Sequence, residues 1–161
     1  MRRVPLALAG AALLLLSGCV RGVSEDASDS VPEGAVADDV LFDQVAELPG
    51  VEAADLRFQH PFGYPAAYAG EITIEAGADP VCVLDEALSV LHQGRAGVEL
   101  GVQVVSDGRM YDLLSLVGRG GSAEDRYGTQ PTAPQPTATV RPCTPPADGS
   151  SLGGATPAPT L

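Results

Sequence analysis

Between residues 38 and 117 the apolar positions fall into short periodic blocks, and the period changes from block to block. Val40, Leu41, Val45 and Leu48 sit at helical spacing behind the potential caps Asp38 and Asp39, and Pro49-Gly50 ends the run, which predicts a short first helix. Residues 51–59 alternate instead, with Ala54, Leu56 and Phe58 facing one way and Asp55, Arg57 and Gln59 the other. Residues 69–76 repeat the pattern, with Ile72 and Ile74 opposed to Glu71, Thr73 and Glu75. A period of two with a polar alternate face predicts half-buried strands in an antiparallel sheet with one wet side.

A second helix is announced by Asp79 as N-cap and Pro80 as first helical residue, after which Leu84, Ala87, Leu88 and Leu91 recur on one face. Gly94 lies near its end, and Cys82, Glu86, Ser89 and Gln93 line the opposite, polar side. Val98, Leu100, Val102 and Val104 alternate with Glu99, Gly101 and Gln103 in a third strand. Ser106-Asp107-Gly108-Arg109 is a hairpin turn signal, followed by a fourth strand over about 109–117 in which Asp112 interrupts the alternation.

The fold class is therefore α+β, in the order α-β-β-α-β-β: a four-stranded antiparallel sheet with two helices on one face, spanning 38–118. An offset of 42 residues sets Asp43 against Asp85, Ile72 against Leu114 and Ile74 against Leu116, the pattern of a duplicated αββ unit. The element order resembles that of the BON domain, a small envelope module associated with lipid or partner binding. That resemblance implies a shape only.

The flanks have a different character. Met1-Arg2-Arg3-Val4 is a short basic stretch and the uncharged run Pro5–Leu16 follows, as in a signal peptide. Counted from Val4 to Ser17, it reaches ~21 Å as a helix, short of the ~30 Å of hydrocarbon a stable span must cross. The run closes on Leu16-Ser17-Gly18-Cys19, which resembles the lipobox of bacterial lipoproteins. The resemblance implies a diacylglyceryl thioether on Cys19, cleavage between Gly18 and Cys19, and acylation of the new amino group, with palmitate-type chains as the anchor. Two or three chains at ~0.8 kcal/mol per buried methylene hold a protein stably at a membrane. The implied location is the extracytoplasmic face of the cell membrane. Residues 19–37 then read as a flexible acidic tether, and residues 119–161, rich in Gly, Pro and Thr, as a disordered tail.

Composition narrows the function further. The formal net charge is −12, and loss of Arg2 and Arg3 with the leader deepens it, so nucleic acid is excluded as a partner and membrane contact falls to the lipid. All nine basic residues are Arg, a usage that resembles GC-rich, actinobacterial genomes. Of the three cysteines, assigning Cys19 to lipid leaves Cys82 and Cys143 either as a bridged pair or as free or intermolecular thiols.

Catalytic chemistry requires a nucleophile, base or metal with an orienting partner, and no such motif surrounds His60 or His92. His92 falls at the end of the second helix, where an imidazolium suits the dipole. The connection Gln59–Tyr68 holds His60, Phe62, Tyr64 and Tyr68 together with two prolines, a stiff aromatic segment suited to partner binding or to covering one end of the core. The expectation is a non-enzymatic, lipid-anchored envelope protein that binds a protein or wall component, with no cofactor, metal or catalytic residue assigned. The alternative is a metal or small-ligand carrier, or an envelope enzyme, using His60 and nearby acidic residues.

Overall fold

Asp79 shows how directly the second helix follows from its sequence. In the structure, a computed structural model that describes residues 33–143 and 156–157, its carboxylate accepts the amide protons of Val81 (2.9 Å) and Cys82 (3.3 Å) and starts α2 (Pro80–Leu91). The first helix, α1 (Asp38–Ala46), begins differently: Ala37 is its N-cap and no side chain caps it. Asp38 is engaged elsewhere, with Tyr68 and Arg95. β1 (Val51–Gln59), β2 (Ala67–Ile74) and β3 (Glu99–Ser106) lie where the alternation predicts them. The turn after β3 uses Asp107 and Gly108 at φ 52° and 69°, and leads into β4 (Arg109–Tyr111).

The sheet runs β1-β2-β3-β4, with Thr156–Pro157 (β5) paired to the far side of β4. It is mixed, which corrects the antiparallel expectation. β1 and β2 form an antiparallel pair, as do β3 and β4, but β2 and β3 are parallel, from Ala67 opposite Glu99 to Ile72 opposite Val104. The reason is α2, which carries the chain back across the sheet so that β3 starts at the same end as β2. The wet face that suggested an antiparallel sheet belongs to the side away from the helices.

α1 and α2 pack against each other and on that one face. Leu41, Val45, Leu84, Leu88, Leu91, Ile72, Val102 and Val104 are fully buried between the layers. Two segments assigned to the flanks join them. Ala35 and Val36, placed in the tether, are buried, and the Val36 amide donates to the Gln93 carbonyl at 3.3 Å. The leader, Cys19 and the tether up to residue 32 lie outside the described residues.

The fourth strand stops at Tyr111 instead of running to 117. Asp112 is the N-cap of α3 (Leu113–Val117): it accepts from the Ser115 amide at 3.0 Å while Ser115 Oγ accepts from the Asp112 amide at 3.2 Å. This capping box wins over the weak strand pattern. It also removes the duplication, because Leu114 and Leu116 lie on a helix and Ile72 and Ile74 on a strand.

Residues 119–143, assigned to the disordered tail, are ordered against the domain. Ser122 and Asp125 form a second capping box that starts α4 (Ala123–Tyr127). The chain then runs as an extended strap along the polar side of α2. Gln44 and Gln93 each grip one strap residue at both backbone groups: Ala138 at 2.7 and 3.1 Å, Thr139 at 2.8 Å. Further along, the Arg141 amide donates to Ser89 Oγ and the Cys143 amide to Glu86 Oε1. Cys82 and Cys143 form a disulfide with Cα atoms 5.1 Å apart, which joins the strap to the first turn of α2.

Candidate binding surfaces

The four residues assigned to partner binding separate into two groups. Between β1 and β2 the chain makes a turn in which the Tyr64 amide donates to the Pro61 carbonyl at 3.0 Å and Gly63 takes φ 79°. On that turn Phe62 is 98% exposed and Tyr64 70%, with His60 exposed beside them. Phe62 therefore does not fold back over the core. Burying a phenylalanine side chain is worth ~1.5–3 kcal/mol, and here that stabilisation is left unused.

Tyr68 goes the other way, because it occupies the helix-facing register of β2 together with Ile72, and is 1% exposed. Its hydroxyl donates to Asp38 Oδ1 at 2.6 Å and accepts from the Arg95 amide at 3.0 Å. The Arg95 guanidinium binds Asp38 at 2.7–2.9 Å and stacks 4.4 Å over the Phe58 ring. Phe42 and Phe58 contact the Tyr68 ring edge-on. Burial, then the Asp38 carboxylate, pushes the Tyr68 phenol well above its ordinary ionisation range. Tyr68 is thus a clasp between α1, β2 and the exit of α2, and not a contact residue.

A second clasp was missed by sequence reasoning. Asp85, 6% exposed on α2, accepts from Arg126 Nε (2.6 Å) and Nη2 (2.7 Å) and from the Tyr127 hydroxyl (3.0 Å). Burial and the Asp85 charge raise the Tyr127 phenol. His92 is the C-cap of α2, as its position suggests, but it is also buried, and Nε2–H donates to the Gly128 carbonyl at 2.7 Å. Among the described residues no buried side-chain nitrogen or oxygen lacks a partner. These groups hold the fold together and leave none of their polar atoms aimed at a ligand.

Concave features of the described residues include two beside these elements. Where β4 ends, a shallow groove of about 420 Å³ opens between β3 and α3, lined by Val98, Leu100, Met110, Leu113, Leu114 and Ala123. A smaller polar pocket of about 260 Å³ lies under the strap beside Ser89, His92 and Tyr127. Among the described residues no group of three His, Cys, Asp or Glu side chains is arranged to hold a metal ion. No helix among them is long and apolar enough to cross a membrane. No protein-family model, curated protein or solved structure matches the chain.

Proposed function

We propose that this chain is a lipoprotein of the cell envelope, held on the extracytoplasmic face of the membrane by lipid on Cys19, whose α+β domain captures a protein or wall component without catalysis. The observation that carries the binding role is the 98% exposure of Phe62 on a short turn held by a backbone hydrogen bond and flanked by prolines. A rigid aromatic presented this way forms a contact at low entropic cost. His60 and Tyr64 flank it as polar and amphipathic neighbours. The anchor rests on Leu16-Ser17-Gly18-Cys19 and on the short apolar leader before it.

Two experiments test the two halves separately. Cys19→Ser, followed by fractionation, releases the protein from the membrane; unchanged retention and processing defeat the anchor. For the loop, a photo-crosslinking residue at position 62 in intact cells traps the partner, a route that needs no amine chemistry in a chain without lysine. The Phe62→Ser/Tyr64→Ser variant keeps its melting temperature and loses partner capture at a probe placed elsewhere on the domain. A large loss of stability would assign the loop to packing.

A further inference from the structure

β1 is the outermost strand of the described sheet. Nine residues long, it pairs among the described residues with β2 alone. The backbone groups that point outward can be identified. The Glu99 amide donates to the Ala66 carbonyl, so the even positions of β2 turn their backbone groups to β3 and the odd positions, 67 to 73, turn theirs to β1. Through the pairing of Asp55 with Glu71 and Arg57 with Ala69, the odd residues of β1 are those bonded to β2. Gly70 gives the same answer independently, since a Cβ built there would run into the Asp55 carbonyl oxygen, which therefore faces β2. Ala54, Leu56 and Phe58 are left with N–H and C=O groups directed away from the sheet, and no described residue pairs with them.

Unpaired edges of this length invite a further strand. Most native edges are blunted by charge, and β1 does carry Asp55 and Arg57 on its solvent face. Neither side chain makes a hydrogen bond or ion pair with a described residue. Their spacing answers which strand fits. When β1 pairs antiparallel with β1 of a second copy through the outward-facing even residues, the registers centred on the strand's middle put residue 55, 56 or 57 on the two-fold axis. Centring on Asp55 sets carboxylate against carboxylate, and centring on Arg57 sets guanidinium against guanidinium. Centring on Leu56 sets Asp55 opposite Arg57 of the second copy, twice, at the close-spaced non-hydrogen-bonded positions where cross-strand pairs interact best. The same register stacks Leu56 on Leu56 of the second copy and Ala54 on Phe58 of the second copy, all half-exposed at present.

We propose that β1 is a self-association edge, through which two copies join their sheets about a two-fold axis at Leu56. The repulsion between two chains of net charge −12 opposes this, but it acts at long range and is screened beyond ~8 Å at physiological salt, whereas the Asp55–Arg57 pairs are in contact. The proposal is independent of the Phe62 loop and of the lipid anchor.

Charge exchange tests it on exposed residues that leave the core untouched. Sedimentation velocity of the full chain in detergent, up to ~100 µM to cover weak interfaces, is expected to show a dimer. Asp55→Arg alone and Arg57→Asp alone each place like charges face to face and yield monomers, and the double variant Asp55→Arg/Arg57→Asp restores the dimer. A mixture of Asp55→Cys and Arg57→Cys chains crosslinks between unlike copies, while either alone does not. A monomeric wild type, dimers that survive both single exchanges, or a double variant that stays monomeric would each overturn the proposal. Phe62→Ser leaves the mass of the particle unchanged, which separates this outcome from that of the loop.

Discussion

Breaking the Cys82–Cys143 bond gives a quantitative test of how the strap is held. The two cysteines are 61 residues apart, and closing a loop of that size removes about 14 cal/mol/K of chain entropy from the unfolded state, or ~4 kcal/mol at room temperature. The strap keeps its hydrogen bonds from Gln44, Gln93, Ser89 and Glu86 in the absence of the bridge, so the folded geometry persists and the loss falls on stability. The Cys82→Ser/Cys143→Ser variant, which avoids stray thiols, is expected to lose ~3–4 kcal/mol in urea denaturation and ~10 °C or more in melting temperature. Amide exchange at Ala138, Thr139 and Arg141 should accelerate more than at Leu88 or Val104, because the strap gains a release mode that leaves the sheet intact. Equal denaturation midpoints and equal protection in the two proteins would refute the reasoning. The strap would then be held by its side-chain clamps alone.

Other perturbations follow from the buried clasps. Asp85→Ala leaves Arg126 and Tyr127 without their acceptor in a half-buried site and should cost about 3 kcal/mol, measurable by chemical denaturation; Asp85→Asn, which still accepts, should cost less. Tyr68 and Tyr127 both have ionisation raised in the folded state, so their contribution is fully present below the unfolded value of ~10 and is lost as pH rises above it. Once the unfolded chain ionises, stability should fall by ~1.4 kcal/mol per pH unit for each tyrosine, and Tyr68→Phe should flatten a melting curve series taken between pH 9 and 11. Gly94→Ala places a Cβ against the Tyr68 hydroxyl and Leu41 Cδ1, and should lower the melting temperature, whereas Gly77→Ala, with open space around it, disturbs only a turn at φ 88° and costs less.

The parts of the fold that were legible in the sequence are those in which neighbours in the chain decide the outcome. Asp79-Pro80 starts α2, alternation marks β1 to β3, and Asp107-Gly108 turns the chain. The parts that were not legible depend on partners far along the chain. The parallel pairing of β2 with β3 is a property of where α2 delivers the chain, and alternation carries no direction. The strap is composed of residues that build no core of their own; it is ordered because Gln44 and Gln93, more than forty residues away, supply the hydrogen bonds it lacks. Signals for α3 and α4 were present as Asp112…Ser115 and Ser122…Asp125, three residues apart, but a strand pattern and a tail composition obscured them. For the loop, the sequence left open whether its aromatics are exposed or cover the core; Phe62 and Tyr64 are exposed, and the inward turn of Tyr68 is set by its register on β2.

Where the domain begins has a mechanical meaning. Under the proposed N-terminal anchor and partner capture, a load on the partner would enter the described domain at Ala35-Val36. There the Val36 amide is bonded to Gln93 at the end of α2, and the Ala35 carbonyl accepts from the Gln135 amide of the strap. The strap is in turn joined covalently to the start of α2. Tension is thus shared between both ends of one helix before it reaches α1, and the disulfide becomes a force-bearing link. Cut, it would let the strap peel and pass the whole pull to a few hydrogen bonds.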